Sequence, residues 1–474
     1  MERYEQEHIA RLRSHLAECT VLLKANGDFP LDAPCKIAAY GSGVRKTVKG
    51  GTGSGEVNSR YFVNVEQGLE NAGFTLTTKA WLDAYDAMYA NARKDFIKQL
   101  KAEAKAKKAN AIMYGMGKTM PEPEYDLPLD GEGNVAIYVL SRISGEGNDR
   151  MAVAGDMKLS ETEKRDILAL NKKYEKFMLV LNVGGPVDLS EVQEVENILI
   201  LSQLGVETGD ALADILLGKQ NPSGKLTTTW SAWEDYAYIG TFGDHNDTYY
   251  KEGIYVGYRY FDAVCKKALY PFGFGMSYTA FETKAENVSL CGSVVTVCAK
   301  VTNTGAFSGK ETVQVYVSAP AVKLDKPYQD LVGFAKTAAL APGETEEAEI
   351  SFDLKDMASY DEAGACYILE PGLYIVRLGN SSVDTKVVAV VELSQEAVVL
   401  QAKNCLGNPG FADWKPENPA VHEVPGDVIH LSMDPAAVVT QHPAYDAVYD
   451  VDPAVAELTN EQLAFANVDR KSVV

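Results

Sequence analysis

The first 220 or so residues alternate between two hydrophobic patterns. Amphipathic stretches predict helices at residues 2–23, 62–72, 81–109 and 210–217, and Ser160 with Glu163 forms a capping box at the start of another helix. Short, continuous apolar runs lie between the helices, at residues 36–41, 111–115, 135–141, 177–184 and 198–205. Runs that are apolar along their whole length are typical of parallel strands covered on both faces. The pattern predicts a mostly parallel α/β sandwich domain over residues 1–255.

Helical periodicity ends beyond this domain. An aromatic, turn-rich crossing at residues 256–281 leads into β-rich runs over residues 282–395, separated by turn signals such as Pro342-Gly343 and Pro371-Gly372. These runs predict an antiparallel β-sandwich. Residues 396–474 are rich in Pro and Asp, with one helix-like stretch near residues 452–465, and we expect them to form a linker.

Charge and cysteine content narrow the class of protein. The formal net charge of −21 argues against nucleic acid or an anionic membrane as a partner, because both require a basic surface. The seven cysteines include no CxxC pair, which excludes a zinc ribbon, and their scattered positions favour free thiols in a reducing compartment. The start of the chain has no apolar signal-peptide core, and no run reaches membrane-spanning length. We therefore expect a cytoplasmic protein.

Two glycine-rich motifs resemble nucleotide-binding loops but lack essential parts. GSGVRK at residues 41–46 follows a strand, yet the third glycine of a dinucleotide-binding loop is missing. GMGKT at residues 115–119 has Ile112 where a phosphate-binding loop needs its first glycine, and Pro121 and Pro123 block the helix that must follow. A nucleotide cofactor is not predicted.

Two further sets of residues are interpreted as structural. His8 and His15 share one helical face, with no acidic or thiol partner arranged beside them, so a metal site is not predicted. The tyrosines at positions 255, 258 and 260 are interpreted as a packing seam, with a platform for sugar stacking as the alternative.

The loop SRISGEGNDR, residues 141–150, carries the clearest candidate chemistry. It follows an apolar strand, and open α/β sheets bind ligands at the carboxyl ends of their strands. Gly145 and Gly147 flank Glu146, so the backbone is free to bend and to project the carboxyl group outward.

An adjacent pair of charges follows in the same loop. Asp149 and Arg150 are suited to holding the loop, and the charge of Asp149 favours the protonated form of Glu146 that a general acid needs. On spacing alone, a solvated surface loop is an equally good interpretation.

Several segments carry motifs that occur together and in this order in one family. They are LLKANGDFPL (22–31), GGTGSGEVN (50–58), SGEGNDR (144–150), GDALADILLGKQNPSGKLTTTW (209–230), YKEGIYVGYRYFD (250–262), PFGFGMSYTAFE (271–282) and the stretch from VTNTG to LAPGE (301–344). Together they closely resemble glycoside hydrolase family 3, the β-glucosidase family, and the predicted β-sandwich over residues 282–395 resembles its fibronectin type III-like domain. The resemblance covers about residues 1–395.

The resemblance implies a catalytic machine divided between two domains. In this family a (β/α)8 barrel supplies an aspartate nucleophile, and in many members the glutamate of the SGEG loop is the general acid/base, a role that falls on Glu146. The resemblance implies no metal or organic cofactor. It assigns residues around Glu146 to a supporting loop and others to a loop on the substrate side: Ser144, Gly145, Gly147, Asp149 and Arg150 in the first, and Gly51, Thr52 and Ser54 in the second.

The order of the domains departs from the common pattern of the family. The chain begins with the α/β sandwich domain, as in permuted members, and residues 445–466 resemble the lead-in to a permuted barrel, but no barrel segment follows. FADW at residues 411–414 is similar to the Ser-Asp-Trp motif of the nucleophile but lies in the linker. No nucleophile is therefore predicted in this chain.

Two hypotheses account for the whole chain. The first is the front part of a retaining β-glycosidase, truncated, that acts on oligosaccharides or aryl β-glycosides, with β-glucosides as the default; alone it should hydrolyse almost nothing, since loss of a nucleophile costs many orders of magnitude in rate. The second is a non-catalytic module that binds a carbohydrate or a separately encoded (β/α)8 barrel.

Overall fold

The computed structural model of the protein describes residues 2–143, 145, 150–236, 247–405, 407, 410–417, 421–443 and 452–468. It contains a mostly parallel α/β domain followed by a β-sandwich, which confirms the predicted fold class. The helices are α1 (Arg3–His15), α2 (Val65–Asn71), α3 (Lys79–Ala106), α4 (Ala111–Gly115), α5 (Glu161–Lys173), α6 (Thr208–Leu216), α7 (Tyr258–Ala263), α8 (Pro453–Ala456) and α9 (Asn460–Val468). None of these described helices combines the length and hydropathy needed to cross a lipid bilayer.

The strands divide between the two domains. Those of the α/β domain are β1 (Val21–Lys24), β2 (Lys36–Tyr40), β3 (Thr75–Leu76), β4 (Val135–Arg142), β5 (Lys176–Val183) and β6 (Ile198–Ile200). Those of the β-sandwich are β7 (Phe281–Cys291), β8 (Val294–Asn303), β9 (Thr312–Ser318), β10 (Asp330–Lys336), β11 (Thr345–Asp353), β12 (Ser359–Asp361), β13 (Cys366–Leu369), β14 (Gly372–Ser381), β15 (Asp384–Leu393), β16 (Ala397–Gln401) and β17 (Ile429–Met433).

The α/β domain is built on a sheet with the strand order β1-β6-β5-β4-β2-β3. All neighbouring strands are parallel except β1, which pairs antiparallel with β6 at the edge. The central strands β4 and β5 are buried along most of their length, as their continuous apolar sequences predict. Because β2, β4 and β5 run in the same direction, the loops that follow them meet at one edge of the sheet.

Two sequence predictions in this domain are wrong. The helix expected over residues 2–23 ends at His15, because Val21–Lys24 is an apolar stretch that pairs with β6 instead. The apolar run at residues 111–115, grouped with the strands, forms the short helix α4, with the side chain of Asn110 accepting hydrogen bonds from the first backbone N–H groups. Ile112 in α4 is 78% exposed, so its hydrophobicity does not mark a core position.

The β-sandwich packs a sheet of order β10-β9-β14-β15-β17 against one of order β11-β8-β7. Alternation along β8 places Val295, Val297, Ala299 and Val301 in the core, as the period of two in a strand requires. A further sheet joins β12, β13 and β16.

The predicted linker, residues 396–474, contributes two strands to the sandwich. β16 pairs with β13, and β17 lies parallel to β15 from Ala389–Ile429 to Leu393–Met433. Both strands are only five residues long and lie in Pro- and Asp-rich sequence, so the amino-acid composition of this region does not predict them. The helix-like stretch near residues 452–465 corresponds to α8 and α9.

Candidate active site

The candidate site lies where β2, β4 and β5 end. The buried side chain of Asn182, near the end of β5, connects the loops at this edge: its Nδ2 donates to the carbonyls of Val48 (2.9 Å) and Ser202 (2.6 Å), and its Oδ1 accepts from the backbone N–H of Val48 (2.6 Å). Its Oδ1 also lies 3.1 Å from the hydroxyl of Ser141 in β4. One side chain thus joins the glycine-rich loop after β2 to the end of β4.

Glu146, the residue assigned as acid/base from the sequence, lies outside the described residues. Glu146 and its neighbours Ser144, Gly147 and Asp149 all belong to the part of the chain that is not described. We call residues 143–149, the central part of the predicted loop, the acid/base loop. The flanking residues Arg142 and Arg150 are described, and so are Ile143 and Gly145 within it.

Gly145 brings the two predicted loops together. It forms a parallel β-bridge with Thr52, and a Cβ on Gly145 would lie 2.4 Å from the backbone nitrogen of Thr52. A side chain at this position would therefore separate the loops. Gly51 precedes Thr52, and the backbone of Ser54 lies in the short 3-10 turn Gly53–Gly55 that follows. The described contact between the two predicted loops is therefore the one between Thr52 and Gly145.

Both ends of the acid/base loop are anchored on one buried residue, Asp156. At the front end, Nε of Arg142 donates to the carbonyl of Asp156 (2.9 Å). At the back end, Nε of Arg150 donates to Oδ1 of Asp156, Nη2 of Arg150 to its carbonyl (3.0 Å), and the backbone N–H of Met151 to Oδ2 (2.6 Å). Arg150 is therefore paired with Asp156, whereas the predicted pair of Arg150 with Asp149 lies outside the described residues.

Arg142 is itself held by a buried ion pair. Its Nη2 lies 2.6 Å from Oε2 of Glu163, and both side chains are almost fully buried. Burial opposes the charged form, but the charge of Glu163 and the hydrogen bond to it raise the pKa of Arg142, so the guanidinium stays charged. Glu163 also closes the capping box with Ser160, so the start of α5 and the end of β4 share one carboxylate.

A pocket of about 220 Å³ opens beside the acid/base loop and contains a further carboxyl group. Glu122, Lys46, Tyr89, Arg142 and Ile143 are among the residues that line it. Burial, with a contribution from the charge of Glu163, raises the pKa of Glu122 to about 7. Glu122 was not predicted from the sequence, where its local signal is its position in the Pro- and Glu-rich stretch before β4.

Two other predicted features lie elsewhere. The tyrosines of the predicted packing seam do pack: Tyr258 is stacked on Phe272 with ring centroids 4.7 Å apart, and Tyr255 meets Trp414 edge-on at 5.2 Å. Trp414 belongs to the FADW segment, which lies against these residues. Neither feature lines the pocket beside the acid/base loop.

Comparisons with known proteins identify the two domains. The model of the glycosyl hydrolase family 3 C-terminal domain matches residues 20–278, and that of the fibronectin type III-like domain matches residues 311–382. β-Glucosidase A of Butyrivibrio fibrisolvens is 35% identical over 454 residues, covering 85% of this chain and 53% of that protein. A β-glucosidase of Ruminococcus albus is 33% identical, covering 84% of this chain and 42% of that protein.

Solved structures show the same likeness. β-Glucosidase 3B from Thermotoga neapolitana, in complex with α-D-glucose, matches with a TM-score of 0.69 and 35% identity, over 83% of this chain and 55% of that one. A β-glucosidase from Paenibacillus barengoltzii matches with a TM-score of 0.69 and 31% identity, over 82% of this chain and 44% of that one. The chain spans about half the length of the curated relatives it matches. Since the family domain matches more than half of this chain, the protein belongs to glycoside hydrolase family 3.

Proposed function

We propose that this chain contributes the general acid/base to a retaining β-glycosidase, with Glu146 in that role and terminal β-linked glucosides as substrates. The nucleophile comes from a (β/α)8 barrel that packs on the α/β domain. The observation that carries the proposal is the anchoring of the acid/base loop through Arg142 and Arg150 on buried Asp156. A surface loop with no functional role does not require hydrogen bonds to one buried residue from both of its ends. The β-glucosidases among the relatives support the choice of substrate.

The chemistry requires a carboxyl group held at a set place. In the first step the acid protonates the departing glycosidic oxygen while the nucleophile binds the anomeric carbon; in the second, the same carboxylate deprotonates the attacking water. A retaining enzyme needs its two carboxyl groups about 5–5.5 Å apart. Because Arg142 and Arg150 are both anchored and Gly145 is paired with Thr52, we expect Glu146 to be held near the position that this chemistry requires.

The test is a chimera in which this chain replaces the matching region of the Butyrivibrio fibrisolvens β-glucosidase. We expect the chimera to hydrolyse phenyl β-glucoside. Glu146→Gln should lower its kcat/KM on this substrate by about 10²–10⁴-fold, because the phenolate leaving group needs a proton. The first step with 2,4-dinitrophenyl β-glucoside should change little, because that leaving group departs unprotonated.

The matched control is Glu132→Gln, an exposed glutamate of the same domain. It should retain the activity of the parent chimera on both substrates. Equal activity of Glu146→Gln and Glu132→Gln on phenyl β-glucoside would remove Glu146 from the mechanism. The chain by itself should not turn over either substrate. A parent chimera that folds without activity would favour the alternative function, a non-catalytic module that binds carbohydrate or a separate barrel chain.

We also propose a cytoplasmic location. The seven cysteines are all free in the structure, and only Cys366 is buried. Exposed thiols such as Cys19 and Cys265 persist in a reducing compartment and are prone to pair in an oxidising one. Fractionation of the source cells, with thiol labelling before lysis, tests this location.

A further inference from the structure

A second cavity lies on the β-sandwich side of the molecule. This cleft, of about 870 Å³, shares no lining residue with the pocket beside the acid/base loop. Residues from distant parts of the sequence line it, among them Tyr255, Asp325, Tyr360, Asn404 and Trp414; we call it the Trp414 cleft. It adjoins a cavity of about 370 Å³, with which it shares Ile254, Asp325 and Ser359 as lining residues.

The aromatic part of the cleft is closely packed. The indole of Trp414 meets the rings of Tyr255 and Tyr260 at centroid distances of 5.2 and 5.4 Å, and its backbone N–H donates to the carbonyl of Lys251 (2.6 Å). Tyr255 is buried behind it, whereas Trp414 is half-buried and lines the cavity. A fixed, partly exposed indole offers an apolar face of the kind on which the C–H face of a pyranose ring stacks.

The polar part of the cleft offers fixed hydrogen-bonding groups. The hydroxyl of Tyr360 donates to Oδ1 of Asn404, whose Nδ2 donates to the carbonyl of Glu362 (2.9 Å). The two lysines are in ion pairs with carboxylates of the cleft, Lys323 with Asp361 (3.0 Å) and Lys415 with Asp325 (2.7 Å).

The charges of the cleft point to the class of ligand. Four carboxylates face two ammonium groups, so a polyanion such as nucleic acid is repelled. Because both ammonium groups are already paired within the cleft, the remaining chemistry suits a neutral ligand with many hydroxyl groups. The volume of about 870 Å³ lies within the range of about 300–1,000 Å³ that is usual for ligand pockets, and it is large enough for more than one sugar unit.

We propose that the Trp414 cleft is an oligosaccharide-binding site, separate from the acid/base loop, in which Trp414 stacks on a neutral sugar ring. The site holds a glycan chain on the β-sandwich. The catalytic region then acts on the end of that chain or on a second glycan. It does not depend on Glu146 as the acid/base.

The first experiment uses the unaltered 474-residue chain and cellotetraose as the probe. N-Bromosuccinimide oxidises accessible indoles, and mass spectrometry identifies which tryptophan has reacted. We expect cellotetraose to slow the oxidation of Trp414 at least threefold and to leave that of Trp233 unchanged, since Trp233 is half-buried in the α/β domain and lies outside the cleft.

Calorimetric titration of variants with cellotetraose then shows how much Trp414 contributes to the affinity. Trp414→Ala should weaken cellotetraose binding at least tenfold, and Trp414→Phe should weaken it less because a ring remains. Phe334→Ala is the matched control, an aromatic residue of β10 that is 67% exposed and outside the cleft, and it should bind like the parent chain. Glu146→Gln should also bind like the parent, which separates this site from the proposed catalytic role.

Three results would overturn the proposal: no binding of cellotetraose up to about 10 mM, equal affinity of Trp414→Ala and the parent, or protection of Trp414 by tetralysine but not by cellotetraose. The last result would make the cleft a site for basic peptides. If Trp414→Ala does not fold, the oxidation experiment on the unaltered chain decides.

Discussion

Asp156 shows how one short side chain positions residues that lie on either side of a loop. Its carboxylate binds Arg150 and the backbone of Met151, and its carbonyl binds Arg142 and Arg150. Buried carboxylates are costly unless every acceptor is used, and here both oxygens accept a hydrogen bond. This makes Asp156 a positioning residue for the acid/base loop.

Asp156→Asn tests that role. The asparagine side chain has one acceptor oxygen and one donor nitrogen. Its nitrogen would face a second donor, either Arg150 or the backbone N–H of Met151, so one of the two hydrogen bonds would be lost. We expect a loss of about 1–3 kcal/mol in stability. In the active chimera, kcat should fall about tenfold or more for phenyl β-glucoside and much less for the first step with 2,4-dinitrophenyl β-glucoside.

The dependence of the rate on the leaving group distinguishes a misplaced acid/base from a general loss of structure. A merely structural defect would lower activity on both glucosides alike. Asp130→Asn, at an exposed aspartate of the same domain, is the control and should leave both rates unchanged. An Asp156→Asn chimera with parental rates on both substrates would show that the anchor has no part in catalysis.

At the scale of the elements, the close crossing of α2 and α6 depends on glycine. A Cβ on Gly209 would lie 1.8 Å from the carbonyl oxygen of Asn64, and a Cβ on Gly68 would lie 2.0 Å from the carbonyl carbon of Gly209. Asn64 is the N-cap of α2, with a capping box to Gln67. The crossing therefore joins backbone to backbone, with no flexible side chain between the helices.

Gly209→Ala should destabilise the α/β domain. Overpacking usually costs about 1–3 kcal/mol, and we expect the upper end or more, since backbone atoms yield less than side chains. Urea unfolding followed by circular dichroism measures the loss. Gly115→Ala in α4 is the matched control: its Cβ would lie 3.8 Å from Leu100, an ordinary contact, so stability should stay equal or rise slightly. Equal midpoints for the two variants would contradict the argument.

Local signals predicted most elements of the α/β domain. The capping box of Ser160 and Glu163 marked the start of α5, and continuous apolar runs marked β4 and β5. Residues 21–24 and 111–115 were misassigned because both are short and apolar, and burial decides between strand and helix in such runs. Burial is a property of the packed fold, which the local sequence does not contain.

At the scale of the whole molecule, an ion cluster joins the two domains. Glu18, just before β1, lies 2.8 Å from Nζ of Lys310 and 3.4 Å from that of Lys336, both in the β-sandwich. His15 contacts the same carboxylate at 3.2 Å, so the expectation that this histidine lacks an acidic partner is wrong. The partner is three residues away, at a spacing that a helical turn brings together.

Acid should weaken this junction. Burial tends to raise the pKa of Glu18, but hydrogen bonds from Lys310 and His15 and the charge of Lys336 outweigh it and lower the pKa from 4.5 to about 2. A carboxyl group with a depressed folded-state pKa stabilises the fold above its unfolded pKa, and that contribution disappears as pH falls through the folded value. The contribution of Glu18 is therefore complete above about pH 5 and lost between about pH 4.5 and 2.

Calorimetry across this range provides the measurement. Glu18→Gln should melt below the parent chain at pH 7, and the difference should shrink as pH falls towards 3. Glu347→Gln, at an exposed residue of β11, should melt like the parent throughout. A difference for Glu18→Gln that does not change with pH would exclude the ion cluster as its cause.

Periodicity, caps and motifs were enough to identify the class of fold, the order of the domains and the family, and to propose the acid/base loop, because these features depend on residues close together in the chain. The folded chain was needed to reveal Asp156 as the common anchor of Arg142 and Arg150, Glu122 beside them, the strands β16 and β17, and the Trp414 cleft. Each of these depends on contacts between segments that the path of the chain brings together. The spacing of residues along the sequence does not give the path of the chain in space. Contacts between distant segments can therefore be identified only from the folded structure.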